Sequence, residues 1–469
     1  EAIKVDIEEF KRGPGTQGDE CGTARSCGYQ LQGPVNFGIR YPSNEKSIDP
    51  TVWATALEHF PELEGYGLPA KGASAERESA EYQVRNRKAA KDIPKEIEEI
   101  AREITTSRYP RTTHKWNGNA DDTEIELAIG SIGIFEEVQM DSGPGVPYIK
   151  LADTNQKLFD TFGGIILTAV IERIQLLCSV TSEYLKKLDP MEKIQHGFVD
   201  PIRVFPKGEP HGPVKMKQRR WRLISSVSIV DQLVERFIGQ VQNKTEISQW
   251  TKLPSLPGLG LTKQHMAQLM SGKAWFNREY HNGDVYEADI SGWDWSVTEQ
   301  ELEAEAKMRC ALITNLTENL ERLIKNRFEC IISKVFMFSD GSTLIPPRGV
   351  MPSGSFFTGS SNSRLRTFIG IVVRLHFGLT NFTEWILRCM GDDSLETPDM
   401  ALDMLRSLYD EFGHKVKDIR RTSMFEFEIC SHHVLVTKQG EIELWPTSVP
   451  KSVTMWLSGK RTAEQTQQL

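Results

Sequence analysis

The stretch Thr383-Glu384-Trp385-Ile386-Leu387-Arg388-Cys389-Met390-Gly391-Asp392-Asp393-Ser394-Leu395-Glu396 (residues 383–396) reads as a strand, a turn and a return strand. Gly-Asp is among the commonest turn sequences, so Gly391-Asp392 taken singly is a turn and nothing more. Its weight comes from what surrounds it. Upstream, Val285 to Ile290 reads as a short strand that Gly292 ends, with Asp289 near its close. If these strands lie side by side, Asp289 and Asp392 meet. Two carboxylates flanking one spot suit Mg²⁺, which takes one or two carboxylates plus phosphates and water. Two such ions can clamp the attacking and leaving oxygens of an in-line phosphoryl displacement.

Working outward, helices alternate with antiparallel strands. Helical patterns cover Ser74 to Lys91, Pro94 to Thr105, Thr154 to Lys187, a stretch beginning near Ser228, and Thr298 to Asn326. Others run from Gly359 to Phe377 and from Ala401 to Phe412, where Gly413 is a helix stop. Strands are expected at Ile331 to Phe338, leading into a hairpin at Asp340-Gly341, and at Phe425 to Cys430 and His433 to Thr437. Gly and Pro are frequent from Gly13 to Pro42, and Pro110 to Asp122 and Asp141 to Pro147 read as loops. The pattern is that of an α+β fold.

At 469 residues the chain exceeds one small core and predicts two or three lobes. Its net charge of -8 argues, taken alone, against a nucleic-acid binder, but the distribution of charge decides that point. Arg203 to Arg222 holds seven basic residues against one acid, Glu209. Such runs are usually solvated faces. The seven cysteines, Cys21, Cys27, Cys178, Cys310, Cys330, Cys389 and Cys430, form no Cys-x-x-Cys pair, which argues for reduced thiols and against a zinc site. The apolar run Gly163 to Val170 is cut by Glu172 and Arg173, so no transmembrane segment is expected. Glu1-Ala2-Ile3-Lys4 does not read as a signal peptide.

Asp289 is followed at a five-residue step by Asp294, within Ser291-Gly292-Trp293-Asp294-Trp295. Further on come Ser353-Gly354, Thr358 and Asn362, the last two one helical turn apart. Each has an ordinary reading as a loop or helix residue. In this order and spacing, Asp289-x-x-x-x-Asp294, Ser353-Gly354-x-x-x-Thr358-x-x-x-Asn362 and Gly391-Asp392-Asp393 resemble motifs A, B and C of positive-strand RNA virus polymerases. Lys207, Glu209, Lys215 and Arg222-Leu223-Ile224 resemble motif F. Ser142-Gly143-Pro144-Gly145-Val146-Pro147 resembles motif G, Gly413 to Lys417 motif D, and Phe427 to His432 motif E. Trp221 to Ser228, Gly391 to Glu396, Cys430-Ser431-His432 and Phe60 to Gly67 are similar to the sobemovirus and polerovirus group.

The resemblance implies a right-hand polymerase of fingers, palm and thumb, with an antiparallel-sheet palm flanked by helices. It implies an N-terminal segment over 1–118 bridging fingers and thumb, and fingers over 119–227. A palm helix over 228–250 and a fingers insertion over 251–283 follow. The palm takes 284–430 and a short or truncated thumb 431–469. It makes Asp289, Asp392 and Asp393 ligands of two Mg²⁺ ions, with Mn²⁺ able to substitute. Asp294 and Asn362, supported by Ser353 or Thr358 and with Gly354 allowing close approach, would read the ribose 2′-OH. Lys207, Lys215 and Arg222 would meet the triphosphate. Ser142, Gly143 and Pro144, with Cys430 and Ser431, would lie along template and primer. Lys417 or Lys415 would be the general acid, Lys417 being preferred. His432 and His433 are read as structural, and Trp293 and Trp295 as packing beneath the site.

Expected partners are a single-stranded RNA template, nascent RNA and ribonucleoside triphosphates. A genome-linked protein primer and other viral replication proteins are further ones. The expected place is the host cytoplasm, at membranes through partners. A reverse transcriptase would place a bulky side chain where Asp294 stands. A non-catalytic RNA-binding scaffold would not need all of Asp289, Asp392 and Asp393.

Overall fold

The computed structural model describes residues 47–459. The Gly/Pro-rich opening, Cys21, Cys27 and the tail after 459 lie outside the described residues. Within them the strands are β1 (Ile202–Pro206), β2 (Leu223–Ser226), β3 (Asp284–Ile290), β4 (Phe336–Met337), β5 (Thr343–Leu344) and β6 (Leu387–Met390). Then come β7 (Asp393–Glu396), β8 (Val416–Ser423), β9 (Glu426–Ile429), β10 (His432–Val436) and β11 (Ile442–Pro446). The helices that position the site are α1 (Ala73–Asn86), α2 (Lys95–Ser107), α3 (Asn155–Ser179), α4 (Ile229–Ser248), α5 (Glu299–Ala311), α6 (Glu318–Ile332), α7 (Thr358–Phe377), α8 (Leu402–Glu411) and α9 (Val449–Leu457).

Seven strands form one antiparallel sheet in the order β11-β10-β9-β8-β3-β7-β6. The motif A strand β3 therefore lies directly against β7, the return strand of the Gly391-Asp392 hairpin. Alternation gives β3 two buried faces. Tyr286, Ala288 and Ile290 join the main helical core, while Val285 joins a second core of Trp250, Leu269, Trp275, Leu395 and Phe427. The smaller sheet, β2-β1-β4-β5, carries the basic stretch on its β1 and β2 hairpin. The β10 and β11 strands extend the large sheet beyond motif E, and α9 follows them.

Several expectations change. Ile331 and Ile332 are not strand but the buried last turn of α6, and the strand is confined to Phe336–Met337. Their β-branched side chains fit either state, and packing into the main core decides for the helix. The pattern from Thr298 to Asn326 is two helices, because Thr317 caps the Leu320 N–H and starts α6 anew. The long pattern after Thr154 is likewise α3 followed by a short helix, Ser182–Lys187. By length and composition alone, α3 could cross a membrane, contrary to expectation. In the fold it is a core helix: Ile166, Val170, Ile174 and Leu177 are buried, and Arg173 is buried against Asp200 and Asp231.

The helix α7 carries an arginine system. Arg364, fully buried, pairs with Glu246 of α4 and with Glu305 of α5 at 2.5 Å. Arg366 reaches Glu396 of β7 at 2.9 Å, Ser394 at 2.9 Å and Tyr409 at 2.8 Å. Arg374 holds Glu396 at 3.0 Å and Asp399 at 2.7 Å. Such groups are tolerated in a core only when paired, and removing one partner strands the other. Arg364→Ala should therefore lower the unfolding free energy by about 3–5 kcal/mol. Denaturant titration reads this directly, and an unshifted midpoint would show that the network carries no stability.

Candidate active site

The β6–β7 connection is a two-residue hairpin, since Met390 pairs with Asp393. Gly391 sits at φ +64, the left-handed region that favours glycine at the first turn position. The β3–β7 register pairs Ala288 with Ser394, so one further step sets Asp289 beside Asp393. On the other flank Asp289 pairs with Asp418 and Ile290 with Val416, which leaves Lys417 as the extra residue of a bulge. Bulges re-aim side chains. Here the Lys417 ammonium lies 2.5 Å from Asp289 Oδ2. Lys415 is exposed like Lys417, and its carbonyl accepts the Ser291 N–H.

These acids feel one another. Burial raises the Asp393 pKa to about 7, reinforced by Asp392 and then Asp289. Burial also raises that of Asp392, with Asp289 adding to the shift. The hydrogen bond from Lys417 to Asp289 raises the lysine's own pKa and keeps it charged. A crowded set of hard oxygen donors, with one ammonium already drawn into it, is the donor chemistry of a divalent-cation site. Among the described residues, no three acid, His or Cys side chains are closed to coordination distance.

Asp294 opens the short helix after Gly292, and the Asn362 amide donates to its Oδ1 at 2.8 Å. Burial raises the Asp294 pKa to about 6, against the Asn362 bond and with help from Asp392. Asn362 Oδ1 is buried and has no hydrogen-bond partner among the described residues. The pair thus offers an unused acceptor beside the acids. Thr358 begins α7 one turn before Asn362 but gives its hydroxyl to the Pro352 carbonyl. Ser353 accepts the Ser225 N–H at 2.9 Å, and Gly354 donates to the Ser225 carbonyl. A Cβ on Gly354 would fall 2.3 Å from that oxygen, so only glycine lets this loop dock on β2.

The basic stretch curls around Glu209. Arg222 and Lys207 each lie 3.0 Å from its carboxylate. Arg222 also acts on Asp294 and Asp392, so this cluster and the acids share one field. Lys215 sits nearby with its pKa lowered, first by burial and then by Arg222. Other assigned residues are further structural supports. Pro144 is buried and accepts the Ile229 N–H, while Ser142 is part-exposed and Gly143 exposed. Cys430 and Ser431 form a left-handed turn between β9 and β10, and the Cys430 backbone donates to Asp393. His433 lies tilted against Trp445 with ring centroids 4.5 Å apart, and Trp293 stacks on His414 at 4.5 Å. Trp295 packs on Phe336.

Three contributors escaped the sequence reading. The Ser363 backbone carbonyl accepts from the Cys389 thiol and its hydroxyl accepts the Gly391 N–H, tying α7 to the turn. Arg366 braces β7 from behind. Lys451 of α9 reaches the Glu209 cluster at 3.8 Å. Of these only Arg366 left a signal, as one of three arginines flanking the apolar run Phe368 to Val373.

An acid whose pKa is raised in the folded chain binds its proton more tightly there than when unfolded. Its contribution favours the fold at low pH and is lost as pH rises from the free value, 3.8, through about 7. Asp393→Asn should therefore raise the melting temperature at about pH 8, with the gain shrinking to nothing near about pH 4. Melts at both ends test this, and an equal gain at both would exclude titration as the cause.

A family model described as viral RNA-directed RNA-polymerase matches residues 60–468. The replicase polyprotein P2AB of Southern bean mosaic virus is 32% identical over 465 residues, covering 96% of this chain and 44% of the polyprotein. Protein P1-P2 of Potato leafroll virus is 33% identical over 419 residues, 81% of this chain and 36% of that protein. The RNA-directed RNA polymerase of Mushroom bacilliform virus is 34% identical over 308 residues, 64% and 71% of the two chains. The chain thus spans less than half the length of the first two relatives. Among solved structures, the Sicinivirus 3Dpol RNA dependent RNA polymerase superposes with a TM-score of 0.62 at 15% identity, covering 89% of this chain and 85% of that one. That likeness bears out the right-hand α+β fold, and the relatives bear out the resemblance to the sobemovirus and polerovirus group. The chain belongs to the viral RNA-directed RNA-polymerase family.

Proposed function

We propose that this chain copies a positive-strand RNA genome by template-directed nucleotidyl transfer. The observation that carries the reading is the meeting of Asp289 with the Asp392-Asp393 turn beside the Asp294–Asn362 pair. Asp289 and Asp392, with Asp393 assisting, would hold two Mg²⁺ ions, or Mn²⁺ in their place. Bound there, the ions would supply positive charge at the attacking 3′ oxygen and the leaving pyrophosphate oxygen.

The chain's own groups do the rest. Asp294 and the free Asn362 Oδ1 can each accept from a ribose 2′-OH, which deoxyribose lacks. This favours the reading over a reverse transcriptase. Lys207, Lys215 and Arg222 neutralise the triphosphate. Lys417, kept charged by Asp289, gives a proton from Nζ to the departing pyrophosphate oxygen. Ser142, Gly143 and Pro144 line the template path, and Cys430 and Ser431 the primer. In this reading 119–227 and 251–283 are fingers, 228–250 and 284–430 palm, and 431–469 thumb, with 1–118 bridging them. Single-stranded RNA, nascent RNA and ribonucleoside triphosphates are its substrates. A genome-linked protein primer and other replication proteins are its partners. Synthesis would take place in the host cytoplasm, at membranes reached through those partners.

The experiment is nucleotide incorporation on a defined RNA template, with and without primer. Wild type should extend in a Mg²⁺-dependent manner, and Asp392→Ala should lose at least about a thousandfold while still binding RNA. Normal extension by Asp392→Ala would refute the site.

A further inference from the structure

A cleft of about 250 Å³ opens on the basic stretch, and its walls come from three separated parts of the chain. One wall is the basic stretch, with Glu209, His211, Lys215 and Arg222. The other is the start of α9, with Ser448 and Lys451. Tyr66 closes one side, next to the 61–63 turn on which α9 packs. The charges are unequal. Lys207, Arg222 and Lys451 converge on the single carboxylate of Glu209, and Lys215 adds a further cation near Arg222 and Lys451.

That carboxylate is nearly buried, and the three cations that pair with it are roughly half exposed. Burial alone would raise the Glu209 pKa, yet Arg222, Lys207 and Lys451 hold it below the usual range. The Lys215 pKa is lowered as well, first by burial and then by Arg222, Arg220, Lys451 and Lys417. The cleft is thus over-supplied with positive charge. It also lies in one electrostatic neighbourhood with Lys417 and hence with Asp289. A polyanion of several phosphates fits such a place, because it can take over the hydrogen bonds that Glu209 now accepts.

We propose that Lys451, carried on α9 far from the polymerase motifs, is a positioning residue for the triphosphate of the incoming nucleotide, and that Glu209 is the internal anion that holds its place. This rests on the polymerase reading. It goes beyond that reading by making the C-terminal helix part of the nucleotide site. Phosphate oxygens displace Glu209 from the lysine, and the carboxylate returns when pyrophosphate leaves. No covalent step is involved.

The test uses the full chain and two readouts. Lys451→Ala should raise the KM for ribonucleoside triphosphate about tenfold with kcat within about twofold, and Lys451→Arg should restore most of the loss. Inorganic tripolyphosphate, titrated in the absence of RNA, should bind wild type and Lys451→Arg but bind Lys451→Ala about tenfold more weakly. Unchanged KM and unchanged tripolyphosphate affinity in a Lys451→Ala chain that melts like wild type would overturn the inference while leaving the polymerase reading intact. Absence of synthesis by wild type, with the tripolyphosphate difference present, would instead overturn the polymerase reading and keep the cleft.

Discussion

Everything at the site depends on the register of β3 between β7 and β8. The period of a strand is two, so a slip by one residue would turn Asp289 from the acid cluster into the helical core. The two faces prevent that slip. Tyr286, Ala288 and Ile290 belong to one core, and Val285 to another on the face it shares with Glu287 and Asp289, so a slip would drive those two carboxylates into the helical core. Behind β7, Arg366 grips Ser394 and Glu396, the residues that alternate with Asp393 and Leu395. The acids are therefore held by packing on one side and buried ion pairs on the other. Their burial, and after it their mutual repulsion, raises their pKa values, and that scaffold bears the cost.

The charge of the chain makes sense on the same terms. A net charge of -8 coexists with a cluster in which three cations pair with one carboxylate and Lys215 adds a fourth positive charge. The acids are spread over the surface and the core, where many pair with buried arginines. The basic residues of the β1–β2 hairpin and α9 are gathered at one place. Lys417 links the two regions, bound to Asp289 on one side and felt by Lys215 on the other.

Much of this was legible in the sequence for a specific reason. Asp289, Asp294, Asn362 and the Gly391-Asp392-Asp393 turn sit at strand ends, turns and one helix face, where local spacing fixes geometry. That Lys417 reaches Asp289 was not legible in the spacing, because it depends on a bulge that arises only when β8 pairs with β3. The break before α6 hung on one capping threonine inside a continuous helical pattern. Ile331 and Ile332 carried strand chemistry into a helix because the core wanted their bulk. Lys451 could not be found by any local rule, since its partner Glu209 lies far away in the chain and only the fold brings them together.

The proposed function requires that Asp289, Asp392 and Asp393 form one divalent-cation site. Titration of Mn²⁺ into the full chain, followed by water-proton relaxation, addresses it without any need for turnover. Expected is saturable binding by wild type, weakened about tenfold or more in Asp289→Asn and in Asp392→Asn, with both variants folded. Equal Mn²⁺ affinity in all three chains would contradict the claim.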